Sequence, residues 1–264
     1  MVTPRSIVTQ MKPGASDTFD PEAFIKKYEE VYLSSSNRSG WKKKKTFSPS
    51  QLGYGHGTCP RYWYVAFSGA DFVDEVDSKG LANMDNGTYA HERVQSTIEK
   101  MGILREKELE VLSQDPPIRG FVDIVIDWEG KLIPGEFKTT NDMGFTWRKT
   151  TGKPPVTHYI QFIIYLKVLD ADEGFLLYEN KDNQEMAIIP LRMNETNEKY
   201  VDYLFDWMRE TYKAFDEETL PTNPFNRRKN AKICNGCPVK KDCFDMDKFG
   251  IGEVDLPLLK VPKL

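Results

Sequence analysis

Residues 118–140 read IRGFVDIVIDWEGKLIPGEFKTT. Two strand-like runs, residues 118–128 and 131–140, are joined by Glu129-Gly130, a pair that signals a β-hairpin. Side chains alternate faces along a strand, so Glu136 and Lys138 share one face and Phe137 points the other way, into a core. Asp123 lies on the preceding strand, and a hairpin can bring it close to Glu136. Two crowded carboxylates repel unless a cation lies between them. Hard oxygen ligands in that arrangement suit Mg²⁺ or Mn²⁺. Such an ion lowers the pKa of a bound water and polarises a phosphoryl oxygen, and Lys138 would face the same water or phosphate. The bland alternative is a cross-strand salt bridge, and the short D…E-x-K pattern alone does not exclude it.

The chain around this hairpin has 264 residues, enough for one large domain or one and a half. Its net charge of -4 excludes a bulk polycation, so any nucleic-acid role must rest on local basic patches. Patches occur at Lys42, Lys43, Lys44 and Lys45, at Arg148 and Lys149, at Arg227-Arg228-Lys229 and at Lys240-Lys241. Each one alone also reads as solvated surface. The first residues, MVTPRSIVTQMKPG, lack the apolar core of a signal peptide, and no run reaches the ~18 apolar residues of a membrane span. The expectation is an intracellular, cytoplasmic protein with no membrane partner, with a viral or mobile-element origin left open. Protein partners are not legible.

Residues 1–20 read as a flexible N-terminus, and 21–264 as a single domain. DPEAFIKKYEEVYLS predicts a helix capped by Asp20, with an apolar stripe of Phe24, Tyr28, Val31 and Tyr32. Ser48 looks like the N-cap of a short helix, and a second short helix begins near Cys59. A helix ending at Gly102 precedes the strands, and REKELEVLSQ adds another strand before the hairpin. PPVTHYIQFIIYLKVLD reads as a helix. EGFLLYEN and EMAIIPLRM read as two more strands, and residues 197–218 as a long amphipathic helix. The order of helix, three strands, helix and further strands predicts an α/β sandwich, not a βαβ ladder.

Four cysteines in an intracellular chain favour a metal or cluster over disulfides. Cys234, Cys237 and Cys243 form C-x2-C-x5-C, while Cys59 stands 175 residues upstream of Cys234. Four thiolates suit tetrahedral zinc or a 4Fe–4S cluster, and the ligands alone do not separate the two.

GFVD followed by GEFK resembles the PD-(D/E)XK nuclease pattern. QFIIY, residues 161–165, is similar to the Q-x-x-x-Y motif of RecB-like nucleases. His91, in GTYAHERV, matches their upstream helix histidine. One cysteine ahead of these motifs and three behind them resembles the iron–sulfur subgroup, which includes the CRISPR-associated exonuclease family and the AddB nuclease domain. All the marks occur in order between about Ser48 and Phe244.

The resemblance implies a restriction-endonuclease-like α/β core, a central mixed sheet flanked by helices. It implies that Cys59, Cys234, Cys237 and Cys243 hold a 4Fe–4S staple, with residues 48–66 and 225–246 forming the cluster region. It implies that His91, Asp123, Glu136 and the backbone carbonyl of Phe137 hold Mg²⁺ or Mn²⁺. Lys138 would orient the water and stabilise developing charge, and Gln161 and Tyr165 would position the scissile strand. The expected substrate is single-stranded DNA or DNA with free ends, gripped by Lys42–Lys45, Arg61, Arg148 and Lys149. Tyr62, Trp63 and Trp147 are candidates for base stacking, with core packing the stronger reading for Tyr62 and Trp63. Two other functions stay open: an endonuclease of the same fold, and a non-catalytic DNA-binding or assembly protein with a structural cluster.

Overall fold

A computed structural model describes residues 19–35, 44–53, 55–70, 72, 76–223, 234, 236–243 and 252–264. The N-terminal residues 1–18, Lys42, Lys43 and Arg227-Arg228-Lys229 lie outside the described residues. The chain groups into two compact units. One is Met1–Ser39 with Glu75–Asp85, the other Gly40–Asp74 with Asn86–Leu264. In the first unit, helix α1 (Pro21–Ser35) begins where Asp20 Oδ1 accepts from the N–H groups of Glu22 and Ala23, both at 3.0 Å. That is the cap the sequence predicts. Its apolar stripe stays largely uncovered, with Phe24, Tyr28 and Val31 exposed. Tyr32 Oη donates to Asp85.

In the second unit, five strands form one sheet in the order β1-β2-β3-β4-β5. They are β1 (Leu104–Ser113), β2 (Ile118–Trp128), β3 (Lys131–Thr140), β4 (Glu173–Asn180) and β5 (Met186–Arg192). The β2–β3 turn places Glu129 and Gly130 at φ 53° and 82°, the left-handed pair that a two-residue hairpin turn requires. All neighbours are antiparallel except β3 and β4. A parallel step needs a crossover, and α4 (Asp142–Thr151) and α5 (Val156–Val168) supply it.

The crossover lays α5 on one sheet face, where Phe162, Tyr165 and Leu166 pack with Val122, Leu176 and Tyr178. Every residue from Tyr159 to Leu166 is buried, which explains an apolar run too continuous for a surface helix. The other face takes α3 (Ser78–Lys100), whose Ala90, Val94 and Ile98 recur one turn apart and pack with Ile124, Phe137 and Leu177. A further core joins α2 (Pro60–Phe67) to α6 (Glu195–Asp216) through Trp63, Val201, Leu204 and Met208. Among the described residues no helix is long and apolar enough to cross a membrane.

The architecture is the mixed sheet flanked by helices that the sequence led us to expect, and the strand runs fall where their patterns placed them. The sequence reading passed over α4. Its segment DMGFTWRKTT carries a glycine, three threonines and two bulky aromatic residues, all weak helix formers. Its ends hold it instead: Asn141 Oδ1 accepts from the Gly144 N–H at 2.9 Å, and Gly152 closes it at φ 65°. Ser48 does not cap the 3₁₀ turn Pro49–Gln51; its Oγ accepts from Lys44 Nζ at 3.0 Å.

Arg61 requires a correction. It is 3% exposed, and its guanidinium donates to the carbonyls of Pro221, at 2.9 Å, and Cys243, at 3.1 Å. It therefore ties α2 to β6 (Thr219–Pro221) and to the end of α7 (Lys240–Cys243), and a phosphate cannot reach it. Tyr62 and Trp63 lie in the core, so neither is available to stack on a base. Arg61→Ala strips one buried and one partly buried carbonyl of their donor and is expected to cost about 2–4 kcal/mol. Urea unfolding measures this, and an unchanged midpoint would show that the tie is dispensable.

Candidate active site

The ladder between β2 and β3 ends at the Ile124–Gly135 pair, so Asp123 and Glu136 stand where the two strands part. On its other side β3 stays joined to β4, with Glu136 beside Leu176, Phe137 beside Leu177 and Lys138 beside Tyr178. Asp123 Oδ2 accepts from the Phe137 N–H at 2.6 Å, bridging the gap that the missing ladder leaves. Glu136 Oε1 accepts from Lys138 Nζ and from Gln161 Nε2, both at 2.6 Å. Gln161 Nε2 also lies 3.3 Å from Tyr165 Oη, one turn along α5 on the same face. Gly120 makes room for this: a Cβ there would stand 2.5 Å from Tyr165 Oη.

Both carboxylates are buried, and Glu136 Oε2 is enclosed with no hydrogen bond. Burial pushes both carboxyls above the ordinary range, and the Lys138 ammonium opposes this only in part. Burial, and then Lys138, holds the His91 imidazole below its usual value. His91 is therefore neutral at pH 7. Its Nδ1, 3.6 Å from Asp123 Oδ2, is a neutral nitrogen beside a carboxylate and not half of an ion pair.

His91, Glu108 and Asp123 each offer a ligand atom, and those atoms all lie within 4.8 Å of one another. Glu136 is not one of this trio. Glu108 was not anticipated from the sequence. In β1 it falls between the Lys107–Ile124 and Leu109–Val122 pairs, opposite Asp123. Gln95 Nε2 donates to Glu108 Oε1 at 2.9 Å and to the Asp123 carbonyl at 3.0 Å. The only signal was the acidic alternation Glu106, Glu108, Glu110, which reads equally as a solvated strand face; register alone picks out the middle one. One neutral nitrogen, several carboxylate oxygens and one unsatisfied buried oxygen together fit a hard divalent cation.

The four cysteines also converge. None is in a disulfide. Burial raises Cys59 and Cys237 to about 12, and the Cys243 thiol adds to both shifts; Cys234 is raised for the same two reasons. Cys59, at the start of α2, also receives backbone N–H groups of Arg61 and Tyr62. Thiols drawn together from both ends of the chain, with Cys59 and Cys237 buried and Cys234 and Cys243 partly so, are the donor set that a cationic centre bound by four thiolates takes.

The predicted DNA-contacting cations differ among themselves. Lys44 is turned inward, over the Trp63 ring at 5.5 Å, and burial lowers it to about 8. Lys45 is exposed. Lys149 pairs with Glu185, and Trp147 is half exposed. Arg148 lies in α4, beside Thr140 and Tyr178.

The family model of the PD-(D/E)XK nuclease superfamily matches residues 88–244, more than half of the chain. The matched span takes in His91, Asp123, Glu136, Lys138, Gln161, Tyr165 and the three C-terminal cysteines. The chain belongs to this superfamily, and its substrate is accordingly a nucleic acid. Among solved structures it is similar to SSO0001, with 20% identity over 83% of this chain and 96% of that one and a TM-score of 0.41. It is similar to LHK-Exo in complex with dAMP, with 13% identity, 79% and 99% coverage and a TM-score of 0.49. It is also similar to the alkaline exonuclease LHK-Exo from Laribacter hongkongensis, with 12% identity, 77% and 99% coverage and a TM-score of 0.47. These are likenesses of fold. No curated protein matches the sequence.

The raised carboxyls set a pH dependence. The native state keeps protons that the unfolded chain loses near pH 4, so stability falls as pH rises from about 4 towards neutrality. Asp123→Asn and Glu136→Gln remove that liability and keep the hydrogen-bond acceptors. Each is expected to raise Tm of the metal-free protein by about 2–4 °C at pH 7.5 and to give no gain at pH 3.5. Calorimetry in chelator tests this, and a lower Tm at pH 7.5 would mean that the charged pair stabilises the fold.

Proposed function

We propose that this protein is a metal-dependent DNA exonuclease acting on single strands or free ends, with a 4Fe–4S cluster as a structural staple. The observation that carries the catalytic part is Glu136. One of its oxygens is held by Lys138 and Gln161, and the other is buried without a partner in a site that gathers His91, Glu108 and Asp123. A pure binding protein has no use for so costly a carboxylate. The exonucleolytic mode and the iron–sulfur centre rest on the resemblance carried by the order of the motifs and the split of the cysteines.

Asp123, Glu136, His91 and the Phe137 carbonyl would hold Mg²⁺ or Mn²⁺, with Glu108 as a further oxygen ligand. The ion supplies an acidified water and a polarised phosphoryl oxygen. Lys138 places an ammonium on the same strand face as Glu136, where it orients the water and offsets charge that develops on the phosphate. Gln161, itself in contact with Tyr165, fixes the rotamer of Glu136. Cys59, Cys234, Cys237 and Cys243 would hold the cluster, which joins segments 175 residues apart and so closes a long loop. Arg61 already bonds the carbonyl of the last of these cysteines.

Anaerobic purification followed by metal analysis should find about four irons and four sulfides per chain. Zinc without iron would overturn the cluster. Nuclease assays with Mg²⁺ or Mn²⁺ should degrade end-labelled linear strands and spare circular single strands; equal cutting of circles would make the protein an endonuclease. Asp123→Ala, Glu136→Ala and Lys138→Ala should each lower the rate by about 10³-fold or more while the fold is kept. A near-wild-type rate for any one of them removes that residue from the mechanism.

A further inference from the structure

Arg148 is a cation without a carboxylate partner among the described residues. Arg93, Arg105, Arg119, Arg192 and Arg209 each pair with a carboxylate. Among the described residues no carboxylate lies within 4 Å of Arg148, although it is half buried and its Nε is enclosed with no hydrogen-bond partner. Its position is nevertheless fixed. Nη1 donates to Thr140 Oγ1 at 3.0 Å, and the guanidinium lies over the Tyr178 ring at 5.2 Å. Behind Tyr178, His158 stacks on the ring at 5.8 Å, and its Nδ1 pairs with the Tyr178 hydroxyl at 2.9 Å. Burial, then Lys138 and Arg148, lowers His158 to about 3, so it contributes a neutral ring and no competing charge. Gly144 leaves the space the guanidinium occupies: a Cβ there would stand 2.5 Å from Arg148 Nη1.

The braced guanidinium lies beside the candidate catalytic groups. Tyr178 is the register neighbour of Lys138 across the parallel β3–β4 pair, and Thr140 follows Lys138 on the same face. Two residues along a strand advance about 6.6 Å, on the order of the step from one phosphate of an extended strand to the next.

We infer that Arg148, braced by Thr140 and Tyr178, binds the nucleotide phosphate next to the one that is cleaved. This rests on the reading that Lys138 faces the scissile phosphate. Arginine suits the role because its planar fork can present two donors to phosphate oxygens from a fixed position. The phosphate is either an internal diester or the terminal monoester of a strand end, and the guanidinium chemistry is common to both.

The test uses the full chain carrying Asp123→Ala, which blocks cutting, with binding of fluorescent single-stranded oligonucleotides followed by anisotropy across a salt series. Arg148→Gln should weaken binding on the order of tenfold and lower the logarithmic salt slope by about 0.7, the value for one phosphate contact on a single strand. Arg148→Lys should keep the slope and lose part of the affinity. Neutralising single linkages as methylphosphonates should cost affinity at one position in the parent and nothing there in Arg148→Gln. Strands with and without a terminal phosphate then assign the contact: a loss at an internal linkage marks a diester, and a loss only with phosphorylated ends marks a monoester. A Tm shift without a slope change, or parallel salt lines, would make Arg148 structural and overturn the inference. If the Asp123→Ala parent itself bound no strand, the nuclease reading would fail instead.

Discussion

The hydrogen-bond ladder between β2 and β3 stops one pair short of the Asp123 and Glu136 carboxylates, and the candidate site depends on that interruption. A buried backbone N–H must find an acceptor. At Phe137 the acceptor is the side chain of Asp123, standing where a strand carbonyl would otherwise be. One carboxylate is thereby fixed by the backbone, while β3 stays anchored to β4 and presents Glu136 and Lys138 on a rigid edge. The helices on either face complete the site from opposite sides. Gln161, in contact with Tyr165, reaches Glu136 from α5, and His91 reaches Asp123 from α3.

Much of this was legible in the sequence because the relevant signals are local. Alternation placed Glu136 and Lys138 on one face, Glu129-Gly130 fixed the hairpin, and a four-residue spacing put Gln161 and Tyr165 on one side of a helix. What escaped were features set by partners distant in the chain. Glu108 could be told from Glu106 and Glu110 only through its register against Asp123. Helix α4 forms through its end caps despite weak propensity, and the parallel β3–β4 step follows from the crossover that α4 helps to make. Arg61 looked like a surface cation because arginine usually is one; its burial depends on carbonyls of residues 221 and 243 that no local pattern reveals.

The charged side chains divide by what already satisfies them. Lys149 is matched by Glu185, Lys44 lies against Trp63, and Arg61 is spent on backbone carbonyls. A count of basic residues therefore says little about where an anion binds. The useful quantity is the charge left over after internal partners are assigned, and in α4 that points to Arg148. The cysteines follow the same logic: burial and the neighbouring cysteines disfavour ionisation of Cys59 and Cys237.

The unpaired oxygen of Glu136 has a consequence for how the enzyme would meet its cation. With their carboxyls titrating above the ordinary range, Asp123 and Glu136 make the empty site a proton store. It then behaves as an ion exchanger: each divalent ion that enters displaces protons into the buffer. Apparent metal affinity would rise with pH for reasons of competition, not of geometry. The acid limb of the activity profile would shift with metal concentration, and the heat of metal binding would depend on the buffer that receives the protons.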